Sequence, residues 1–85
     1  DLMLMLIRAE RDPENALDLV KKMVRLKCVS TVQVRKLAGQ FGTDEARYQL
    51  LDMCYKYTID RKQYGVLANL LTEVYFINRF KALVQ

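Results

Sequence analysis

The reactive side chains of this sequence are five tyrosines, two cysteines, ten acids and fourteen bases, and it contains no histidine. Histidine is the commonest general base near neutral pH, and without it neither Cys28 nor Cys54 has the partner a nucleophilic thiol needs. Carboxylates occur close together at Asp44-Glu45 and at Glu10 with Asp12. Adjacent residues at a helix start point to different sides, however, and an acid in the first turn is what capping and the helix dipole already demand. Two thiols cannot complete a tetrahedral zinc set. No phosphate loop, calcium loop or nucleophile elbow occurs either. The expectation is a protein that is not an enzyme and needs neither metal nor cofactor.

The remaining chemistry suits binding. Net charge is +4, and the densest basic cluster is Lys21, Lys22, Arg25 and Lys27, with Arg35 and Lys36 soon after. Such a surface suits an acidic partner or nucleic acid, or it is simply a solvated helix face. Tyr57, beside Lys56, Arg61 and Lys62, reads either as part of an exposed basic-aromatic patch or as a scattered surface residue. Tyr and Arg often anchor protein interfaces, and the same mixture stacks on single-stranded nucleic acid. Lys21, Lys22, Arg25, Tyr57 and Arg61 are therefore the candidates for contact with a partner. Tyr48, Tyr55 and Tyr64 fall instead on inward stripes, as core residues whose hydroxyls reach the rim.

The elements that must carry these residues are helical. Helix one is expected over about residues 2–10, apolar nearly all round from Leu2 to Ile7. Either neighbours sandwich it, or it exposes a Met-rich patch through which a homodimer forms. Asp12 and Pro13 restart the chain as N-cap and first helical residue of helix two, 13–27. There Ala16, Leu19, Val20, Met23 and Leu26, widened by Leu17 and Val24, face inward.

Ser30 and Gln33 fit a reciprocal capping box for helix three, which runs to about Phe41 and buries Val34, Leu37, Ala38 and Phe41. Gly42 follows, where a left-handed backbone suits glycine. Helix four, about 44–58, places Glu45, Gln49, Asp52 and Lys56 on its wet side and Leu50, Leu51, Cys54 and Tyr55 inward. Asp60 is expected to cap helix five, which carries Tyr64, Leu67, Ala68 and Leu71 inward. Gly65 inside it costs ~1 kcal/mol relative to Ala and suggests a close helix contact. Thr72 either caps a sixth helix containing Phe76, Phe80 and Leu83, or helices five and six run together.

The chain also resembles itself. Ser30-Thr31-Val32-Gln33-Val34 with Leu37, Ala38 and Phe41 matches Asp60-Arg61-Lys62-Gln63-Tyr64 with Leu67, Ala68 and Leu71, thirty residues on. Leu17, Leu19, Val20 and Met23 likewise match Tyr48, Leu50, Leu51 and Cys54. The choice is between coincidence among similar amphipathic helices and stacked hairpins sharing one core.

Eighty-five residues make one domain with a modest core. The start at Asp1, without an initiator Met, reads as a domain excised from a longer protein or a matured product. The apolar opening is too short to span a bilayer and lacks the basic start and cleavage site of a signal peptide. Cys54 reads as a core residue and Cys28 as partly exposed, so a disulfide between them is not expected.

From residue 31 to 60 the sequence resembles domain-of-unknown-function family 4476. Gln33-Val34, Leu37, Phe41, Arg47, Leu50-Leu51, Cys54-Tyr55 and Asp60 carry the resemblance. Leu6-Ile7, Asp12 and Leu19-Val20 resemble the family's start. The resemblance implies a small helical module without an established activity or cofactor. It also implies one of two settings, a secreted or envelope protein in bacteria or an intracellular one in animals. An aromatic-Thr-Phe-Ser-like turn is expected near the end, where Leu71-Thr72-Glu73-Val74 stands.

The expected architecture is a soluble all-α domain of five or six short helices, packed as stacked antiparallel hairpins like a right-handed α-α superhelix. The expected role is protein–protein interaction, with nucleic-acid binding by the basic face of helices two and three as the alternative.

Overall fold

In a computed structural model, which describes residues 2–85 and their side chains from Leu4 onward, the chain is all-α. α1 spans Leu2–Ala9, and three later helices begin where capping chemistry places them. Asp12 Oδ1 accepts a hydrogen bond from the Glu14 amide at 3.0 Å and opens α2, Pro13–Leu26. Ser30 and Gln33 form the reciprocal box that opens α3, Thr31–Ala38. The Gln33 amide donates to Ser30 Oγ at 3.3 Å, and the Ser30 amide to Gln33 Oε1 at 2.9 Å. Thr43 Oγ1 accepts from the Ala46 amide at 3.3 Å and opens α4, Asp44–Tyr55. A 3-10 helix over Arg61–Leu70 and α5, Val74–Leu83, complete the chain.

The second half departs from expectation in several places. Helix five is a 3-10 helix: Tyr64 and Leu67 are buried and Leu70 half-buried, a spacing of three that matches three residues per turn. Asp60 precedes this helix without capping it. Its carboxylate turns back to the start of α3, where Oδ1 accepts from the Thr31 amide at 2.7 Å and the Thr31 hydroxyl at 2.9 Å. The last two helices are separate, with Leu71, Thr72 and Glu73 between them. Thr72 does not cap α5 with its side chain. The cap comes from Asp44, which accepts from the Thr72 and Glu73 amides at 2.8 and 2.6 Å and from the Thr72 hydroxyl at 3.1 Å.

Glycine and the widest apolar stripe also need correction. α3 ends at Ala38 rather than Phe41, with Gly39 as a right-handed cap, and neither Gly42 nor Gly65 takes a positive φ. A Cβ at Gly65 would meet open space, so no helix approaches it closely. On α2 the buried line is Ala16, Val20 and Val24, whereas Leu26 is 89% exposed because at about 100° per residue it points about 120° away from that line.

Contacts between elements fall into two rows. α1 touches α3, and α3 touches the 3-10 helix; α2 touches α4, and α4 touches α5. Consecutive pairs, α1 with α2, α3 with α4 and the 3-10 helix with α5, join the rows, while α2 and α3 do not pack together. The Cα envelope of 30 × 25 × 16 Å is two helices thick in its short direction.

α4 sits centrally, against α2, α3, α5 and the 3-10 helix, and buries Tyr48, Leu50, Leu51 and Cys54. Each fully buried leucine contributes about 1.5–3 kcal/mol. Tyr64 crosses the core, donating its hydroxyl to the Leu51 carbonyl at 2.7 Å, edge-on to Tyr55 and stacked on Phe80. Tyr48 and Tyr64 are buried as expected, while Tyr55 is only half-buried. The opening helix is neither fully sandwiched nor fully open: Ile7 is buried and Leu4 half-buried, but Met5 and Leu6 are exposed. Leu2 and Met3 side chains lie outside the described residues. None of the described helices is long and apolar enough to cross a membrane.

Candidate functional site

The wet side of α4 organises the surface of the α2–α4–α5 row. Glu45, Gln49, Asp52 and Lys56 are all exposed along it, at the helical spacing read from the sequence. Between this ridge and α2 lies a groove of about 500 Å³. Lys21 and Arg25 line it from α2 and Lys56 and Tyr57 from α4 and its end, with Leu17 and Met53 as the apolar part. Asp18 and Asp52 add two negative charges, so the lining carries both signs with one positive charge in excess. Lys56 Nζ stands 5.3 Å from the Tyr57 ring centroid, which holds the ammonium against the aromatic face.

A parallel bridge joins Val29 to Thr58, the residue after groove-lining Tyr57. The Val29 amide donates to the Tyr57 carbonyl at 3.1 Å, and the Ile59 amide to the Val29 carbonyl at 2.9 Å. Buried Thr58 anchors this crossing by donating its hydroxyl to the Cys54 carbonyl at 2.8 Å. The bridge sets the α2–α3 connection beside the segment after α4. Leu26 and Ile59, near the bridge in sequence, are exposed and do not line the groove. Arg61 donates its Nε to the Thr58 carbonyl at 3.3 Å.

Of the five residues singled out in the sequence, Lys21, Arg25 and Tyr57 line one groove, while Arg61 is exposed and does not line it. Lys22 is exposed on α2 but does not line the groove. Arg35 and Lys36 line a different groove, with residues of α1.

Sequence reasoning missed the other flank of the ridge. There a groove of about 410 Å³ is lined by Tyr48, Tyr75, Phe76 and Arg79 together with Glu45, Gln49 and Asp52. The Arg79 guanidinium lies 4.9 Å from the Tyr48 ring centroid and 5.5 Å from that of Tyr75, and donates to the Tyr75 hydroxyl at 3.2 Å. The Tyr75 hydroxyl and the two rings favour the charged form, so the guanidinium is held above its already high ordinary pKa. The i, i+4 spacing of Tyr75 and Arg79 was the available signal. Tyr48 reads from the sequence as a core residue with its hydroxyl at the rim, and its largely buried ring also lines this groove.

Arg47, one of the residues carrying the family resemblance, is structural. Its Nε donates to the Phe41 carbonyl at 2.7 Å and an Nη to the Leu70 carbonyl at 2.9 Å, fastening the segment after α3 and the end of the 3-10 helix to α4. Cys54 is buried, and desolvation pushes its thiol up to about 12; Cys28 is exposed.

An all-α domain with an open, mixed-charge face is what the geometry defines. The profile of the family described as Domain of unknown function (DUF4476) matches residues 2–84, and the chain belongs to that family. No curated protein and no solved structure matches it.

Proposed function

We propose that this domain is a non-catalytic protein-interaction module, and that its partner lies along the α2/α4 groove. The observation that carries this reading is the gathering of Lys21, Arg25, Lys56 and Tyr57 in one open groove whose apolar part is Leu17 and Met53. Interfaces draw most of their energy from a few Tyr, Trp and Arg residues seated among apolar neighbours. Asp18 and Asp52 within the same lining favour a partner carrying both charges over a uniformly anionic one. We read the two rows of helices as stacked antiparallel hairpins in a right-handed superhelix, whose outer side leaves this groove open.

Nucleic-acid binding would need the basic residues of α2 and α3 on one face. Lys21 and Arg25 line one groove and Arg35 and Lys36 another, and α2 and α3 do not pack together, which favours the protein reading. The experiment is affinity capture with the wild-type domain and with a Lys21→Glu, Arg25→Glu variant. A protein retained by the wild type and lost by the variant, with helicity unchanged, supports the reading. Equal retention by both removes the groove from it.

A further inference from the structure

The opposite row carries a second groove of different character. α1, α3 and the end of the 3-10 helix enclose about 640 Å³, with Leu4, Val32 and Leu70 as apolar lining. Val32 is 59% exposed although it stands in the first turn of α3. Arg8, Arg35 and Lys36 rim this surface, and no carboxylate lines it among the described residues. Three positive charges stand here, in a chain whose net charge is +4. The α2/α4 groove, by contrast, answers its cations with two aspartates.

One of the three cations is pre-positioned. Arg8 Nε donates to Gln40 Oε1 at 3.2 Å, and Gln40 in turn donates Nε2 to the Lys36 carbonyl at 3.4 Å. A guanidinium bonded through Nε keeps its two terminal nitrogens, the fork that matches a carboxylate. Fixing it in advance lowers the ordering cost of binding.

We propose that this groove takes a short acidic segment of a partner protein, with an apolar side chain seated against Leu4, Val32 and Leu70 and carboxylates on Arg8, Arg35 and Lys36. Charge complementarity sets the sign of the occupant, and the apolar lining sets its second requirement. No aromatic residue lines the groove, so it lacks the stacking platform that single-stranded nucleic acid uses. Its apolar residues line a concavity, whereas a membrane surface is met by apolar side chains that protrude. This proposal concerns the other row and does not depend on the α2/α4 reading.

The test is fluorescence anisotropy of the full chain with a short labelled peptide of Asp, Glu and Leu. Comparison ligands are the Asn/Gln/Leu counterpart, a single-stranded oligonucleotide and phosphatidylserine vesicles. Arg35→Glu with Lys36→Glu should weaken acidic-peptide binding about tenfold, the scale of two lost surface charge pairs reinforced by repulsion. Lys62→Glu with Lys81→Glu, exposed lysines that line neither groove, should leave it unchanged, and the uncharged peptide should bind weakly. Both altered residues of α3 are exposed, so circular dichroism should show native helicity. The proposal is overturned if the wild type does not bind the acidic peptide, or if both double variants weaken it equally. Equally fatal would be oligonucleotide or vesicle binding as tight as the peptide's and lost through the same two residues.

Discussion

Asp60 accepts the Thr31 amide at 2.7 Å and the Thr31 hydroxyl at 2.9 Å, so the residue that precedes the 3-10 helix caps the first residue of α3. Asp44, at the start of α4, does the same for the Thr72–Glu73 segment ahead of α5. The first amides of a helix have no partner within it, and in both cases an aspartate from elsewhere in the chain supplies one. These two clasps join successive elements of each row, α3 to the 3-10 helix and α4 to α5.

Both clasps should make stability depend on pH. Hydrogen bonds from the Glu73 amide hold the Asp44 carboxyl below its ordinary value of 3.8, and those from the Thr31 amide do so for Asp60. A folded-state pKa below the unfolded one contributes stability that is present above the unfolded value and lost as pH falls through the folded one. Thermal melts should therefore show the midpoint falling as pH drops below 3.8. Asp44→Asn with Asp60→Asn should have a lower midpoint at pH 7 and a flatter acid limb. An acid limb as steep as that of the wild type would contradict the assignment.

Tyr64→Phe isolates the hydroxyl that crosses the core to the Leu51 carbonyl. The ring packing on Tyr55 and Phe80 remains, so the loss should be about 1 kcal/mol in urea unfolding. Tyr64→Ala, which also empties the ring's volume, should cost about 3–5 kcal/mol.

Thiol chemistry should separate the two cysteines. A thiolate, not a thiol, is the nucleophile, and burial holds Cys54 at about 12 while Cys28 is exposed. Titration of the native domain with a chromogenic disulfide near neutral pH should release one equivalent promptly and the second only on unfolding. Prompt release of both would contradict the packing around α4.

Gly65→Ala should stabilise the domain by roughly 0.4–1 kcal/mol in urea unfolding, through the lower conformational entropy of the unfolded chain. The new methyl enters open space and no positive φ opposes it. A destabilised variant would show that this segment needs a backbone only glycine takes.

Caps that act within four residues were legible: Asp12, and Ser30 with Gln33, stand where local chemistry puts them. So was the buried stripe of α4, because Tyr48, Leu51 and Tyr55 recur at helical spacing with Leu50 and Cys54 beside them. Asp60 was misread, and the second role of Asp44 beyond the first turn of α4 was unseen, because the same side chain serves a local or a distant helix equally well, and only tertiary packing decides. The 3-10 helix was hidden for a related reason. Tyr64, Leu67 and Leu70 fit a period of three, but Leu67, Ala68 and Leu71 also fit the i, i+3, i+4 pattern of an α-helix. At the groove, charge and aromatic type singled out Lys21, Arg25 and Tyr57. Nothing local could show that Val29 and Thr58 would pair in a bridge beside them.

The interaction reading is tested most directly by site-specific photo-crosslinking in lysate. A benzophenone side chain is placed at Gln49, which lines the groove, or at exposed Asn69 on the 3-10 helix. The account predicts one discrete crosslinked protein at Gln49, absent at Asn69 and lost when Lys21→Glu and Arg25→Glu are added. Equal crosslinking at both positions, or none at Gln49, would contradict it.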